Sequence, residues 1–121
     1  MAATALAAGP ASTKPIVVEF SHVGDDGLSE RLADQVETAF NQSPDFTLHS
    51  AHTPGTLVVA IPTNVDWKQV GRRTHVLYKV EFSTTANQII SKGSGSCWDD
   101  SLNDCALQIV KMARTAARKI H

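Results

Sequence analysis

The sequence lacks an excess of basic residues and any long apolar run. Its 11 Lys and Arg stand against 12 Asp and Glu, for a net charge of −1, whereas a nucleic-acid-binding protein is expected to be basic. No apolar run approaches the length of a membrane-spanning helix, about 20 residues. We therefore predict no nucleic-acid partner and no transmembrane segment.

Recognisable catalytic motifs are also missing. The run GSGS at 93–96 is rich in glycine but lacks the Lys and Ser or Thr that follow in a phosphate-binding P-loop, so we predict a flexible turn there. No nucleophile elbow is present, and no Ser/His/Asp or Cys/His set can be assembled from the sequence. The sequence predicts no catalytic residue, no cofactor and no metal ligand, and favours a protein that is not an enzyme.

What is present suffices for one domain, because 121 residues can bury a core without extra cross-links or metals. The first residues, MAATALAAGPAST, are rich in alanine. Ala5-Leu6-Ala7-Ala8 fits the cleavage region of a signal peptide, although the charged start and most of the apolar stretch are missing. We expect residues 1–13 to be a disordered leader or a signal-peptide remnant, and residues 14–121 to form a single α+β domain.

Apolar periodicity predicts the element order β-α-β-β-β-β-α. From Leu28 to Asn41 apolar residues recur every three or four positions, which is typical of an amphipathic helix, and a similar stripe runs from about Asp100 to the end. Thr56–Ile61 is apolar on both faces and is expected at the centre of the sheet. The other predicted strands are Pro15–Phe20, Phe46–His52, Thr74–Ser83 and Gln88–Lys92. We predict a five-stranded mixed or antiparallel sheet with both helices packed on one face.

The two cysteines, Cys97 and Cys105, allow several interpretations. They are too few for a thiolate metal site, and their spacing does not fit a C-x-x-C redox pair. Reduced core cysteines and a disulfide both remain. The even count, a loop that can close and the start of the chain favour a disulfide, and with it an oxidising compartment. We predict a cross-link that joins the last strand and Trp98 to the final helix.

One segment, NVDWKQVGRRTHVLY, combines a tryptophan with cations, a composition found at recognition surfaces. The predicted partner surface comprises Trp67, Lys68, Arg72, Arg73, His75 and Lys79. The alternative is that Trp67 is a loop aromatic that covers the edge of the core.

The histidines and paired acids allow a second functional hypothesis. His22, Asp25, His49 and His52 could serve a small periplasmic hydrolase or metal-dependent enzyme if loops brought them together. Positions three apart on a strand point to opposite faces, however, so His49 and His52 are interpreted as surface residues. The pairs Asp25-Asp26 and Asp99-Asp100 each precede a helix and are predicted to cap it.

Two long segments carry a resemblance to a known group of bacterial envelope domains. IVVEFSHVGDDGLSERLADQVETAFNQSPDFTLH resembles the strand, loop, helix and second strand of the amino-terminal domain of TolB and of related domains in the CsgG and LpoB lipoproteins. LVVAIPTNVDWKQVGRRTHVLYKVEFSTTANQIISKG resembles their later strands. The resemblance covers roughly residues 16–93 and carries over no catalytic residue. It implies a periplasmic, non-enzymatic α+β module that docks on another envelope protein or assembly.

We therefore expect a periplasmic or secreted bacterial protein that acts through protein–protein contacts, with another envelope protein or with copies of itself. A free sheet edge or the solvent-exposed face of the Thr74–Ser83 strand would make the contact. A cytosolic interaction domain with reduced thiols is a further alternative.

Overall fold

A computed structural model describes residues 15–49 and 53–120, so the predicted leader 1–13 lies outside the described residues. The strands are β1 Ile16–His22, β2 Phe46–Leu48, β3 Leu57–Ile61, β4 Asp66–Val70, β5 Arg73–Ser83 and β6 Ile89–Trp98. The helices are α1 Gly27–Gln42 and α2 Leu102–Ala117, and a 3-10 turn, Asp99–Ser101, leads into α2.

The strands form one mixed sheet, which confirms the predicted α+β class. β2 and β3 lie on either side of β1 and run parallel to it. β5 is antiparallel to β3, β4 and β6. β3 and β4 share one edge of β5, because β3 pairs near Phe82 and β4 pairs with Arg73–Leu77. The prediction that the TLVVAI segment lies centrally is confirmed, since β3 lies between β1 and β5.

Both helices pack on the same face of this sheet, as predicted. The alternate residues of β5 from Val76 to Phe82 are buried, and they form one core cluster with Val36 of α1 and Ile109 of α2. Burying each such apolar side chain contributes about 1.5–3 kcal/mol. The intervening residues of β5 face away from the helices, so the opposite face of the sheet, called the open face below, carries no helix of the described chain.

The sheet holds one strand more than predicted, because β4 was interpreted as a loop. All five residues of β4 are exposed, so its sequence has no buried alternation to reveal a strand. Pairing with β5 forms it, through a two-residue turn at Gly71-Arg72. Gly71 has φ +62°, a conformation that glycine adopts without steric cost and that suits a tight hairpin.

The prediction of a flexible turn at 93–96 is wrong, because these residues form the middle of β6. Side chains of α2 and β5 lie close to both glycines. A Cβ at Gly93 would meet Met112 Sδ at 2.5 Å, and one at Gly95 would meet the Tyr78 hydroxyl at 2.5 Å. The strand that was predicted to end at Lys92 therefore continues to Trp98.

The predicted caps hold for only one of the two acidic pairs. Asp26 is the N-cap of α1 and accepts a hydrogen bond from Ser29 N at 2.6 Å. Asp99 and Asp100 do not cap α2, because they lie in the 3-10 turn and their side chains bind β5 instead. The second predicted strand is also shorter, since β2 ends at Leu48, and residues 50–52 lie outside the described chain.

Candidate interaction surface

The β4–β5 hairpin carries the predicted surface residues, and the strand register decides which of them share a face. Residues directly opposite each other in an antiparallel pair project to the same side. Lys68 lies opposite His75, and His75 lies opposite Trp98 of β6. Lys68, His75 and Trp98 therefore form a row across three strands on the open face. Arg73, two residues before His75, lies on the same face.

Trp98 is the centre of this row. The guanidinium of Arg73 lies 4.2 Å from the centroid of its ring, and the ring of His75 lies 4.9 Å away. This is the geometry of a cation–π contact, which holds Arg73 over the indole. Trp98 was predicted only as a residue tethered by the disulfide, and its part in the cluster depends on the β5–β6 register, which the sequence does not specify.

Acidic residues of the 3-10 turn fix the same cluster from the other side. Arg73 donates a hydrogen bond to Asp100 Oδ1 at 2.9 Å, and Thr74 N donates to Asp99 Oδ1 at 3.4 Å. The bond from Arg73 holds the pKa of the Asp100 carboxyl below its usual value. Arg73 thus links β5 to the 3-10 turn, and the carboxylate of Asp100 already partly neutralises its charge.

The other predicted surface residues are spread around the hairpin. Trp67 lies opposite buried Val76 and so projects to the helix side of the sheet, yet it is 61% exposed. It does not cover the core edge. Arg72 lies in the turn, and Lys79 lies on the open face, two positions beyond Leu77. The structure groups Lys68, Arg73 and His75, and separates Trp67 from them.

A groove on the open face begins beside this row. It has a volume of about 780 Å³. Leu77, 42% exposed, is its apolar part. Polar residues surround that leucine: Thr63, Asn64, Asp66, Lys79, Ser94 and Ser96. Sequence reasoning missed this groove because its residues come from three separate stretches that only strand pairing brings together.

The predicted disulfide is present and supports one end of the surface. Cys97 in β6 is bonded to Cys105 in α2, with the two Cα atoms 5.6 Å apart. Both residues are buried. Because Trp98 directly follows Cys97, the cross-link holds the base of the Arg73–Trp98 cluster against the first turns of α2.

The histidines of the enzyme hypothesis do not form a cluster in the part of the chain described. His49 lies one residue beyond the Val18–Leu48 pair, whereas His22 lies four residues beyond Val18, a separation of about 10 Å along the strands. His22 Nδ1 is 3.1 Å from the carbonyl oxygen of Gly24. His52 lies outside the described residues. Across 15–49 and 53–120, no group of three or more His, Cys, Asp and Glu is placed to hold a metal ion.

Neither described helix is both long enough and apolar enough to cross a membrane.

The fold places the chain among two-layer α+β proteins, and solved structures share it. PelC from Paraburkholderia phytofirmans, a dodecamer, matches with a TM-score of 0.52 at 13% identity over 84% of this chain and 85% of PelC. A second crystal form of that dodecamer matches with a TM-score of 0.51 at 14% identity over 79% of this chain and 83% of PelC. A minor lipoprotein from Acinetobacter baumannii matches with a TM-score of 0.49 at 10% identity over 84% and 94% of the two chains.

No protein-family model matches the chain, and no curated protein matches it in sequence. At the identities of the two PelC structures, the likeness shows the fold alone. The resemblance to TolB, CsgG and LpoB stays a prediction.

Proposed function

We propose that the protein is an exported module that acts through protein–protein contacts made by the β4–β5 hairpin. One observation carries this proposal: of six exposed large apolar side chains among the described residues, Trp67, Val70 and Leu77 lie on this hairpin. Exposed apolar side chains that cluster on one element mark interaction sites, and tryptophan and arginine are enriched at the energetic centres of interfaces.

A free strand edge supports the same function. β6 pairs only with β5 among the described strands, so no second strand of the described chain covers its ten residues, although the carbonyl oxygens of Ile90 and Ser96 accept side-chain hydrogen bonds. Unpaired backbone groups along such an edge can accept a strand from a partner. The β5–β6 pair thus offers a second contact next to the hairpin.

The disulfide supports export, because cross-links of this kind persist in oxidising compartments. The PelC structures that share the fold are dodecamers, which supports self-association as one form of the proposed contact. We assign the protein to the bacterial periplasm or the secreted fraction, where its partner is another envelope protein or a second copy.

Self-association is tested by sedimentation velocity of the oxidised protein over a wide concentration range. We expect oligomers that Trp67→Ala combined with Val70→Ser weakens. Leu107→Ala is the matched control, because Leu107 is 57% exposed on α2, away from the hairpin. Contact with another protein is tested by a photo-crosslinking amino acid at position 67 in cells. A monomer at every concentration that also forms no crosslink in cells would overturn the proposed function.

Export is tested separately, by trapping thiols in cells. Acid quenching followed by alkylation under denaturing conditions reaches the buried Cys97 and Cys105. We expect both to be protected from alkylation until a reductant is added. Alkylation of both sulfurs without reductant would place the protein in a reducing compartment.

A further inference from the structure

The hairpin and one stripe of α1 carry opposite charges. On the hairpin, Lys68 and Arg72 are exposed, and neither has an ion-pair partner among the described residues. Arg73 differs, since Asp100 already accepts its hydrogen bond. The hairpin therefore presents two unmatched cations, with the exposed Val70 on the same open face as Lys68 and the exposed Trp67 on the opposite face.

The outer face of α1 presents the complementary charge. Glu30, Asp34 and Glu37 follow one another at intervals of four and three, so they form one stripe along the helix. All three are exposed, and none has an ion-pair partner in the described chain. Like charges at such spacings repel each other and destabilise the helix. A cationic surface that docked on α1 would remove that repulsion.

From this match we infer that the occupant of the hairpin is a second copy of this chain, which presents the Glu30–Asp34–Glu37 stripe of α1 to Lys68 and Arg72. The inference rests on the proposed function and specifies its partner. Charge complementarity favours a copy because the chain carries both halves of the contact, each left unmatched within its own fold. Val70, which shares the open face with Lys68, supplies apolar area that two charge pairs alone would lack.

The contact joins two different surfaces of the chain, because its halves lie on different elements. The hairpin belongs to the sheet, where β4 pairs only with β5 among the described strands, while α1 packs on α2 and β2. Two copies can pair both surfaces at once in a two-fold dimer, or each copy can leave its own α1 stripe free for another in a head-to-tail contact. Such a heterologous contact produces a ring when the rotation between copies closes, and an open filament when it does not.

Charge reversal tests this arrangement. Lys68→Glu with Arg72→Glu makes both surfaces acidic, and Asp34→Lys with Glu37→Lys makes both basic. Each pair is expected to weaken self-association about tenfold or more, since like charges then face each other. Combining all four substitutions restores opposite charges across the contact and should return the association to near the wild-type level. Lys111→Glu with Arg118→Glu is the matched control on α2, and it should leave association unchanged.

Sedimentation velocity measures the association at low and at high salt, with the melting temperature of each variant recorded to show that it is folded. Added salt should weaken the wild-type oligomer because it screens the charges. An oligomer that survives both reversals overturns the inference. The chain would then self-associate through another surface, so the proposed function stands. Loss in each pair without recovery in the fourfold variant also overturns it. A wild-type chain that remains monomeric overturns both the inference and the self-association on which it rests. Growth that stops at a dimer supports the two-fold arrangement, and growth beyond a dimer supports the head-to-tail one.

Discussion

Removal of the Cys97–Cys105 bond is the perturbation with the clearest expected magnitude. The informative variant is Cys97→Ala combined with Cys105→Ala, which leaves no single thiol to form intermolecular bonds. Alanine is preferable to serine at position 105, because that residue is fully buried in the core, and a buried hydroxyl without a partner carries its own cost. The double variant therefore measures how much stability is lost with the cross-link and the two sulfur atoms.

The magnitude follows from the short loop. With a sequence separation of 8 between the two cysteines, the bond removes about 8 cal/mol/K of entropy from the unfolded chain, or about 2.5 kcal/mol at 25 °C. A domain of this size loses about 4 °C of melting temperature per kcal/mol, so we expect the Tm to fall by about 10 °C. The lost sulfur contacts add to this value.

The assay is thermal unfolding followed by circular dichroism, with and without a phosphine reductant. The oxidised wild type should melt highest. The reduced wild type and the double variant should melt lower and close to each other, and the reductant should not change the variant. Equal melting of the oxidised wild type and the variant would refute the reasoning, because the bond would then contribute nothing beyond what the core already provides.

Three further predictions concern single positions. Gly95→Ala places a Cβ against α2 and the Tyr78 hydroxyl, so it should lower the free energy of unfolding by about 1–3 kcal/mol. Gly27→Ala is the control and should not lower it, because a Cβ at Gly27 has no atom within 4 Å. Equal urea midpoints for the two variants would contradict this prediction. Asp26→Ala removes the cap of α1 and should cost about 1 kcal/mol in the same assay, while Asp25→Ala should cost less. Burial raises the pKa of Tyr78 to about 12, above the unfolded value of about 10. The unfolded chain therefore loses this proton first, and stability should fall from about pH 10 to about pH 12. As this is the 1 tyrosine in the chain, phenolate absorbance follows it alone, and ionisation of the folded protein near pH 10 would count against the prediction.

The elements predicted correctly are those in which the spacing of apolar residues along the element shows which side is buried. In β5, the alternation of buried Val76 and Tyr78 with exposed Leu77 matches the period of a strand. The stripe of Leu32 and Val36 likewise matches one face of a helix. In each case the side chains that enter the core recur at the spacing of the element, so the local sequence is enough to predict that element.

The elements missed are those whose conformation depends on a neighbour. β4 has no buried residue, and its pairing with β5 forms it. Gly93 and Gly95 were predicted as a turn because glycine favours turns, yet here they pair with β5 as a strand, and side chains of α2 and Tyr78 occupy the space that a Cβ would take. Asp99 and Asp100 were assigned to helix capping, but Thr74 and Arg73 offer them hydrogen bonds across the fold.

The candidate surface was predicted only in part, because some of its residues come together only through strand pairing. Lys68, Arg73 and His75 lie in one stretch of sequence, so a local search finds them. Trp98, which joins them, is 25 residues beyond Arg73 and reaches it only because His75 and Trp98 are opposite each other in the β5–β6 ladder. A shift of one residue in that register would place Trp98 on the helix side instead.

By itself, the sequence determined the fold class and the buried faces of the helices, and it favoured a disulfide between the two cysteines. These depend on the period and spacing of side chains along the chain. Only the tertiary structure decided the sixth strand, the role of the glycines and the grouping of Arg73, His75 and Trp98 on the open face. Register and the close approach of α2 to the sheet set these features, and both arise between segments far apart in the chain.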